Sequence, residues 1–273
     1  YFLGRKHCAN DVEKLVYKIL PSFPSLNWSL DLIFGLNNQT LAHLEQNLDC
    51  AANSSAKHIS LYALTIEEHS IFGKLEKKGF TFSADSDFQA ECMEHIQNYF
   101  ENSHFFQYEV SNYSKKDYHS KHNSLYWHGG QFLGLGPGAW SFWIEPLFQN
   151  CCRSGNPRHI KKYLSWIDEQ KKSMQTNKQP CCDCSELFEK ENLSGWQMFL
   201  ERIYLGLRTS KGMSLDITHN TQWIMQILPI LQMLCHQGIL QEFPNRHFAP
   251  TDKGFRFADS IAKKMLEFWN QSP

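Results

Sequence analysis

The alternation of strands and helices in the first half of the chain is the feature that most constrains its fold. Two short apolar runs bounded by helix-breaking residues, 28–35 and 58–64, are typical of buried strands, and residues 107–113 indicate a third. Helical periodicity separates these strands, with Thr40 as the N-cap of one helix and residues 87–100 forming the next. Strand, helix, strand, helix and strand at this spacing predict βαβ units with right-handed crossovers and a parallel sheet.

The carboxyl ends of the predicted strands are the expected place for a ligand, because parallel sheets gather their ligands there. These ends carry Gly35, residues 63–67 and residues 111–113, and a glycine turn at 134–141 would close the same face. The first strand also contains Asp31. A carboxylate inside an apolar strand is costly unless it is paired or directed into a polar site.

Residues 122–141 have the most unusual composition in the chain. They hold two His, one Tyr, two Trp and five Gly in twenty positions. Imidazole and phenol are side chains that can ligate a haem iron, and glycines let a backbone approach a ligand closely. We interpret the stretch as a binding wall, made of a ligand-bearing segment and a glycine turn. A tight turn beside an aromatic core is the alternative interpretation.

The pattern of the chain changes after this stretch. Residues 148–180 are polar and predict one helix near 159–170. Further along, helical patterns cover 187–207 and 223–236, and two short strands and a final helix with Thr251 as its N-cap follow. This order is typical of a small winged-helix-like domain.

Composition and charge exclude several classes of function. Lys and Arg number 27 against 28 Asp and Glu, and they are scattered among acids in the C-terminal wing, so we predict no nucleic-acid partner. No apolar run approaches the length that spans a bilayer, which leaves only peripheral membrane contact open. Nine cysteines, including adjacent pairs, make a poor disulfide framework and predict reduced thiols and a cytoplasmic location. The chain opens with Tyr1 rather than Met, which indicates a fragment of a longer protein.

Four ordered motifs carry a resemblance to a known family. They are residues 29–36 (SLDLIFGL), 58–66 (HISLYALTI), 108–113 (YEVSNY) and 122–127 (HNSLYW), and the match resumes at 205–212 (LGLRTSKG) and 240–257. In these motifs the chain resembles the HemW-type haem chaperones of the radical S-adenosylmethionine (SAM) superfamily, which are closely related to oxygen-independent coproporphyrinogen III oxidase.

The resemblance implies an α/β fold in three segments. Residues 1–147 would form the C-terminal half of a partial (β/α) radical SAM barrel with the haem-motif segment, and residues 148–184 a connector. Residues 185–273 would form the family's C-terminal domain, a small winged-helix-like α+β unit.

The chain departs from the family in its cysteines. The family holds a [4Fe–4S] cluster with a C-x3-C-x2-C loop after the first barrel strand, and in the resemblance that loop lies upstream of Tyr1. Cys181, Cys182 and Cys184 have the wrong spacing to replace it. The resemblance implies SAM and a [4Fe–4S] cluster as cofactors of the full-length family, and it predicts that this chain alone does not cleave SAM.

The resemblance also assigns roles to residues on the SAM-binding face. Arg5, Asp31, Ala63 and Trp140 match family positions that contact SAM. A guanidinium can grip the SAM carboxylate, and a strand-borne carboxylate can pair with its ammonium group or ribose hydroxyls. Pairing of Arg5 and Asp31 with structural partners is the alternative.

His122, Asn123 and Tyr126 match the family's haem-associated H-N-x-x-Y motif. In a helix, the i, i+4 spacing would place His122 and Tyr126 on one face. His122 would then be an axial ligand of the haem iron, Tyr126 a second ligand or a propionate partner, and Asn123 would orient the imidazole. A structural histidine is the alternative, and His119 and His128 are close enough in sequence to substitute.

From these features we expect a HemW-like protein that binds haem and delivers it to client proteins, and we assign no catalytic residue. The first alternative is an oxygen-independent coproporphyrinogen III oxidase-like enzyme of porphyrin biosynthesis, and the second is a degenerate fragment with neither activity. Half a parallel barrel leaves strand edges uncovered, so we also expect association with an N-terminal half or with a second copy as a homodimer.

Overall fold

The chain forms two compact units. The computed structural model describes residues 6–145, 150–175 and 189–271. One unit comprises Tyr1–Ser120 and Pro250–Ala258, and the other comprises Lys121–Ala249 and Asp259–Pro273. The segment boundaries near 147 and 184 follow the family resemblance rather than contacts within the chain, and they stay predictions.

Short helices and strands alternate along the described residues. The helices are α1 (Ala9–Lys14), α2 (Leu41–Ala52), α3 (Ile71–Glu76), α4 (Ser86–Glu101), α5 (Lys121–Trp127), α6 (Ile160–Gln175), α7 (Gly195–Gly206), α8 (Thr221–His236), α9 (Asp252–Arg256) and α10 (Ala258–Leu266). The strands are β1 (Ser29–Phe34), β2 (His58–Ala63), β3 (Phe106–Glu109), β4 (Asn112–Ser114), β5 (Trp140–Glu145), β6 (Asn150–Gly155), β7 (Glu189–Leu193), β8 (Met213–Ser214), β9 (Leu240–Phe243) and β10 (His247–Pro250). A π-helical turn (Leu15–Ile19) and two 3₁₀ turns (Leu20–Ser22 and Leu215–Ile217) are also present. This content confirms the predicted α/β class.

The sheet of the first unit has the strand order β1-β2-β4-β3. β1 and β2 are parallel, with Ser29 opposite His58 and Phe34 opposite Ala63. α2 connects them, so this part of the sheet is the βαβ unit that the sequence predicts.

The prediction of a third parallel strand over 107–113 is wrong. The chain turns at Val110 and Ser111, so that β3 and β4 form an antiparallel pair, and β4 is also antiparallel to β2. Glu109 stabilises this turn because its carboxylate accepts hydrogen bonds from the Ser111 backbone N–H, at 3.3 Å, and from the Asn112 side chain. A period-two pattern is the same in either strand direction, so the sequence did not reveal the reversal.

One face of this sheet is apolar and is covered by α2 and α4. Thr40 is the N-cap of α2, as predicted, and its Oγ1 accepts the His43 N–H at 3.2 Å. The core beneath the helices contains Phe34, Leu44, Leu48, Ile59, Leu61, Ile96 and Phe100. Since strand side chains alternate between faces, Asp31 and its cross-strand neighbour Ser60 lie on the opposite face.

The second unit contains two antiparallel sheets, β5-β6-β7 and β8-β10-β9. Its main core lies around α7 and α8 and includes Trp196, Leu200, Ile203, Ile227, Leu231 and Phe248. The predicted helix over 187–207 is wrong in its first part, because Glu189–Leu193 pairs with β6 as strand β7. Ser194 begins α7 instead, since its Oγ accepts the Gln197 N–H while the Gln197 side chain accepts the Ser194 N–H.

The C-terminal elements follow the predicted order with two differences, a third strand in the wing and a divided last helix. α8 continues through Pro229, and β9 and β10 form the two predicted strands, joined by β8 in a three-stranded sheet. The last helix is divided into α9 and α10, and Thr251 caps α9 by accepting the Gly254 N–H at 3.0 Å. Within the described ranges, no helix combines the length and the apolar character needed to cross a lipid bilayer.

Candidate functional site

The residues of the H-N-x-x-Y motif lie on the short helix α5. His122 and Tyr126 are one turn apart, and the Tyr126 hydroxyl shares a 3.2 Å hydrogen bond with His122 Nε2. Their rings meet edge to face, with centroids 4.9 Å apart. His122 is exposed and Tyr126 is half-buried. The two side chains therefore share one face of the helix, with the imidazole on the outside.

A row of aromatic rings supports Tyr126. Its ring lies 4.7 Å from the ring of Phe132, which lies 6.1 Å from that of the buried Phe142. Phe132 and Phe142 are also joined by two backbone hydrogen bonds of 2.9 Å each. The segment after α5 is therefore tied to β5, and the ring of Tyr126 has a fixed neighbour on one side.

A glycine ends α5 in a Schellman motif. Gly129 has a φ of +58°, its N–H donates to the Tyr126 carbonyl at 2.8 Å, and the Gly130 N–H donates to the Leu125 carbonyl at 2.8 Å. A side chain at Gly129 would be strained at this φ, and its Cβ would lie 2.4 Å from the Arg202 guanidinium carbon. The first glycine of the sequence stretch is thus required for the position of the motif helix.

Two arginines contact α5 and hold it in place. Arg202 lies on α7, and Arg208 lies just after the end of α7. Arg202 donates a hydrogen bond to the His128 carbonyl, at the negative end of the α5 dipole. The Arg208 guanidinium carbon lies 5.4 Å from the ring of Trp127 and 5.4 Å from that of Tyr204. Sequence reasoning missed the roles of both residues, because partners so distant in sequence, 74 positions away for Arg202, leave no local spacing signal.

The glycine turn after α5 is built around Asn156. Its side-chain amide donates to the carbonyls of Gly134 and Gly136, at 3.0 Å each, and its backbone N–H donates to Ala139 at 2.8 Å. The turn leaves Leu133 72% and Leu135 80% exposed. The same segment therefore presents apolar surface to solvent instead of burying it.

The predicted SAM contacts are divided between the two units. Asp31 is exposed on β1, opposite Ser60, while Ala63 is the last residue of β2 and packs partly against the core. Trp140 begins β5 in the other unit and is 37% exposed. Arg5 lies outside the described residues, as do Cys181, Cys182 and Cys184. The structure thus brings Asp31 and Ala63 into one sheet, and the SAM roles of all four residues stay predictions.

A polar cluster that the sequence did not reveal lies on the strands beside Asp31. His58 Nε2 shares a 2.8 Å hydrogen bond with the Tyr108 hydroxyl, and the ring of His119 stacks on Tyr108 at 4.2 Å. Burial lowers the pKa of His58, the charge of Asp31 opposes that shift, and His119 adds to it. Burial also raises the pKa of Tyr108 to about 12. His119 therefore has a partner in the first unit.

The third histidine of the region also has a local partner. His128 is exposed, and its Nδ1–H donates a 2.6 Å hydrogen bond to the Ser124 carbonyl. Among the described residues, no three His, Cys, Asp or Glu side chains come together as a ready metal site. Of the three histidines, His122 is the one that pairs with the motif tyrosine.

The chain is similar in sequence to proteins whose names refer to haem or to a radical S-adenosyl methionine domain. It is 31% identical over 211 residues to the heme chaperone HemW of Synechocystis sp., which covers 77% of the chain and 47% of that protein. It is 34% identical over 188 residues to the heme chaperone HemW of Bacillus subtilis, which covers 69% of the chain and 45% of that protein. A mouse mitochondrial radical S-adenosyl methionine domain-containing protein 1 is 36% identical over 138 residues, or 50% of the chain and 31% of that protein. No protein-family model matches.

The fold has a solved counterpart in Escherichia coli coproporphyrinogen III oxidase (HemN), described as a radical SAM enzyme. The TM-score is 0.61 at 15% sequence identity, and the match covers 87% of this chain and 54% of that one. This likeness shows the fold and confirms the predicted partial barrel. The chain spans about half the length of the first two relatives above. Over that half, the sequence and fold similarities confirm the predicted resemblance, and the chain is a relative of the HemW-type proteins.

Proposed function

We propose that this chain binds haem at α5 and serves as the haem-carrying part of a HemW-type protein that delivers haem to client proteins. The observation that carries the proposal is an exposed His122 paired with a Tyr126 whose ring rests on Phe132. The names of the bacterial relatives support it, since they are heme chaperones. Haem is here the cargo of the protein.

In this proposal His122 supplies the ligand to the haem iron. Its imidazole is exposed, so haem can approach without any opening of the helix. Iron bound at Nε2 would break the hydrogen bond to Tyr126 and free the phenol. That phenol can then donate to a propionate carboxylate, and Asn123 is proposed to orient the imidazole.

The surroundings of α5 suit a reversible carrier. Gly129, Arg202 and Arg208 hold the helix, and Phe132 supports Tyr126, so binding requires little ordering of the chain. The exposed Leu133 and Leu135 of the following turn offer apolar surface in the same unit. A site with a single ligating side chain beside preformed apolar surface can bind haem reversibly, as a carrier must.

For SAM, we propose the contacts that the resemblance implies. Asp31 would pair with the ammonium or ribose hydroxyls, Arg5 with the carboxylate, and Ala63 and Trp140 would give backbone and apolar contact. SAM bound at a reduced [4Fe–4S] cluster supplies radical chemistry in the family. Our proposal assigns neither SAM cleavage nor a catalytic residue to this chain alone.

The second candidate function is an oxygen-independent coproporphyrinogen III oxidase-like activity. The fold similarity to the Escherichia coli enzyme favours it. An anaerobic assay with coproporphyrinogen III, SAM and a reductant separates the two candidates. Decarboxylated product formed by the chain alone would favour the enzyme.

The haem proposal is tested by titrating haem into the purified chain and following the Soret band. We expect a saturable shift in the wild-type chain. The variant His122→Ala should bind haem at least about tenfold more weakly, since loss of an iron ligand costs at least as much as loss of a group that orients one.

His119→Ala and His128→Ala are the matched controls, because each removes an imidazole from the same region of the chain. We expect both to retain the wild-type titration. If His122→Ala binds haem as tightly as the wild type, with an unchanged circular dichroism spectrum, then His122 is not the ligand and the proposal fails.

A further inference from the structure

The second unit contains a cavity of about 490 Å³ that shares no residue with the haem-motif segment. It lies between α7, α10 and the strand pair β6 and β7, and its apolar wall includes Tyr204, Met265 and Trp269. Sites for small molecules commonly measure about 300–1,000 Å³ and have mostly apolar walls with a few polar groups. This cavity has the volume and the wall of such a site.

Two carboxylates and one guanidinium line the cavity. Arg153 donates to Glu201 Oε1, and its other nitrogen lies 3.4 Å from Glu191 Oε2. One guanidinium is therefore shared by two carboxylates. An anionic ligand would meet an arginine whose charge is already compensated, whereas a cation would balance the remaining carboxylate charge.

Glu201 has an oxygen that lacks a donor. Its side chain is 15% exposed, and Oε2 is buried with no hydrogen-bond partner among the described residues. An ionised carboxylate can accept several hydrogen bonds, and a buried acceptor without a donor is costly. An N–H group of a ligand that meets this oxygen, after a rotation of the carboxylate toward the cavity, would relieve that cost.

The aromatic residues of the wall favour the same kind of ligand. Tyr204 and Trp269 both line the cavity. The faces of such rings attract organic cations, with Trp the stronger of the two. The cavity thus has more carboxylates than guanidinium groups, an acceptor oxygen without a donor among the described residues, and aromatic rings in its wall. These features together indicate an amphipathic cation as the ligand.

We propose that this cavity is a binding site for a small organic cation, in which an ammonium or amidinium group donates to Glu201 and an apolar body packs against Tyr204 and Trp269. The site is separate from the haem motif, since none of its lining residues belongs to α5 or to the glycine turn. It would let a second small molecule bind the same unit.

Benzamidine is a suitable probe, with benzamide as its neutral analogue and benzoate as its anionic analogue. Calorimetric titration of the full chain should show saturable binding of benzamidine. Benzamide and benzoate should bind at least about tenfold more weakly, because they lack the charge-assisted donor to Glu201. Benzoate binding as tightly as benzamidine, or no binding of benzamidine at millimolar concentration, would overturn the proposal.

Three variants locate the site. Glu201→Gln should weaken benzamidine binding at least about tenfold, and Ala262→Phe, which fills the cavity without changing its charges, should abolish it. Glu242→Gln is the matched control on the exposed strand β9 and should bind like the wild type. Thermal unfolding checks that each variant is folded.

Two outcomes keep this proposal separate from the haem proposal. His122→Ala should leave benzamidine binding unchanged even if it abolishes haem binding. If a folded Ala262→Phe variant retains wild-type benzamidine affinity, the cavity is not the site and the inference is wrong, whatever the haem titration shows.

Discussion

The haem-motif helix of the second unit and the mixed sheet of the first unit place their polar groups in different ways. On α5, His122 and Tyr126 meet because they are one helical turn apart, and the glycine cap follows directly. In the sheet, His58 meets Tyr108 across 50 positions, and the pairing depends on how β2 and β3 are arranged around β4. The first arrangement needs only a local conformation, and the second needs the assembled sheet.

This difference predicts where each region is vulnerable. A local motif is lost when the backbone geometry of a few residues is disturbed, whereas a cross-strand cluster responds to changes in burial and in nearby charge. The following predictions test that distinction, in order of decreasing effect.

The largest effect is expected for Gly129→Ala. The new side chain is strained at a φ of +58° and displaces Arg202 from the end of α5. The free energy of unfolding should fall by about 2.5–5 kcal/mol, the sum of the backbone strain and a lost charge-assisted hydrogen bond. Chemical denaturation measures it.

Gly238→Ala is the matched control for this change. Gly238 has a φ of +67° in the same unit, but nothing lies within 4 Å of an added Cβ. Only the backbone strain remains, so the loss should be about 1–2 kcal/mol. Equal losses in the two variants would show that Arg202 contributes nothing to α5.

An intermediate effect is expected for Arg208→Leu. The guanidinium between Trp127 and Tyr204 is 15% exposed, so its loss should lower the free energy of unfolding by about 1–2 kcal/mol. Its ion pair with Asp259 adds little, because Asp259 is 97% exposed. Haem affinity should fall as well, since α5 loses an anchor.

Arg158→Leu provides the comparison, because Arg158 forms an ion pair with Glu189 at 3.2 Å and is 76% exposed. It should change the free energy of unfolding by less than about 0.5 kcal/mol. If Arg208→Leu also changes neither the free energy of unfolding nor the haem affinity, then Arg208 does not position α5, and the glycine cap is sufficient.

The smallest effect concerns pH and the first unit. Because burial lowers the pKa of His58, the unfolded chain takes up a proton more readily than the folded chain. Stability from this residue is complete above the ordinary histidine pKa of about 6.5 and decreases as the pH falls below it. Thermal unfolding between about pH 7 and 5 should show this decrease, and His58→Gln should reduce it.

Asp31→Asn sharpens this test. The charge of Asp31 raises the pKa of His58, so its removal should move the NMR titration of His58 to lower pH. His122→Ala should leave that titration unchanged. If the NMR titration of His58 is the same in the Asp31→Asn variant as in the wild type, the Asp31 carboxylate does not act on this cluster.

Several elements could be predicted from the sequence because short-range backbone geometry governs them. Thr40 and Thr251 were recognisable as N-caps, and each accepts the N–H three residues later. The i, i+4 spacing of His122 and Tyr126 likewise requires a shared face once the segment is helical. The parallel pair β1 and β2 followed from two apolar runs separated by one helix.

Other features could not be read from the chain, because they depend on partners distant in sequence. The residues at 107–113 form a strand pattern in either direction, and only pairing with β2 made β4 antiparallel. Residues 189–193 form a strand because β6 offers them an edge, although their sequence favoured a helix.

The sequence by itself determined that His122 and Tyr126 share one face once their segment is helical, because the backbone geometry of one helical turn decides it. Tertiary structure alone decided that Arg202 and Arg208 hold that helix. It also decided that Glu201 lines a cavity and that one of its oxygens meets no donor among the described residues. The physical reason is that a side chain's partner, burial and electrostatic surroundings depend on residues that only folding brings near it.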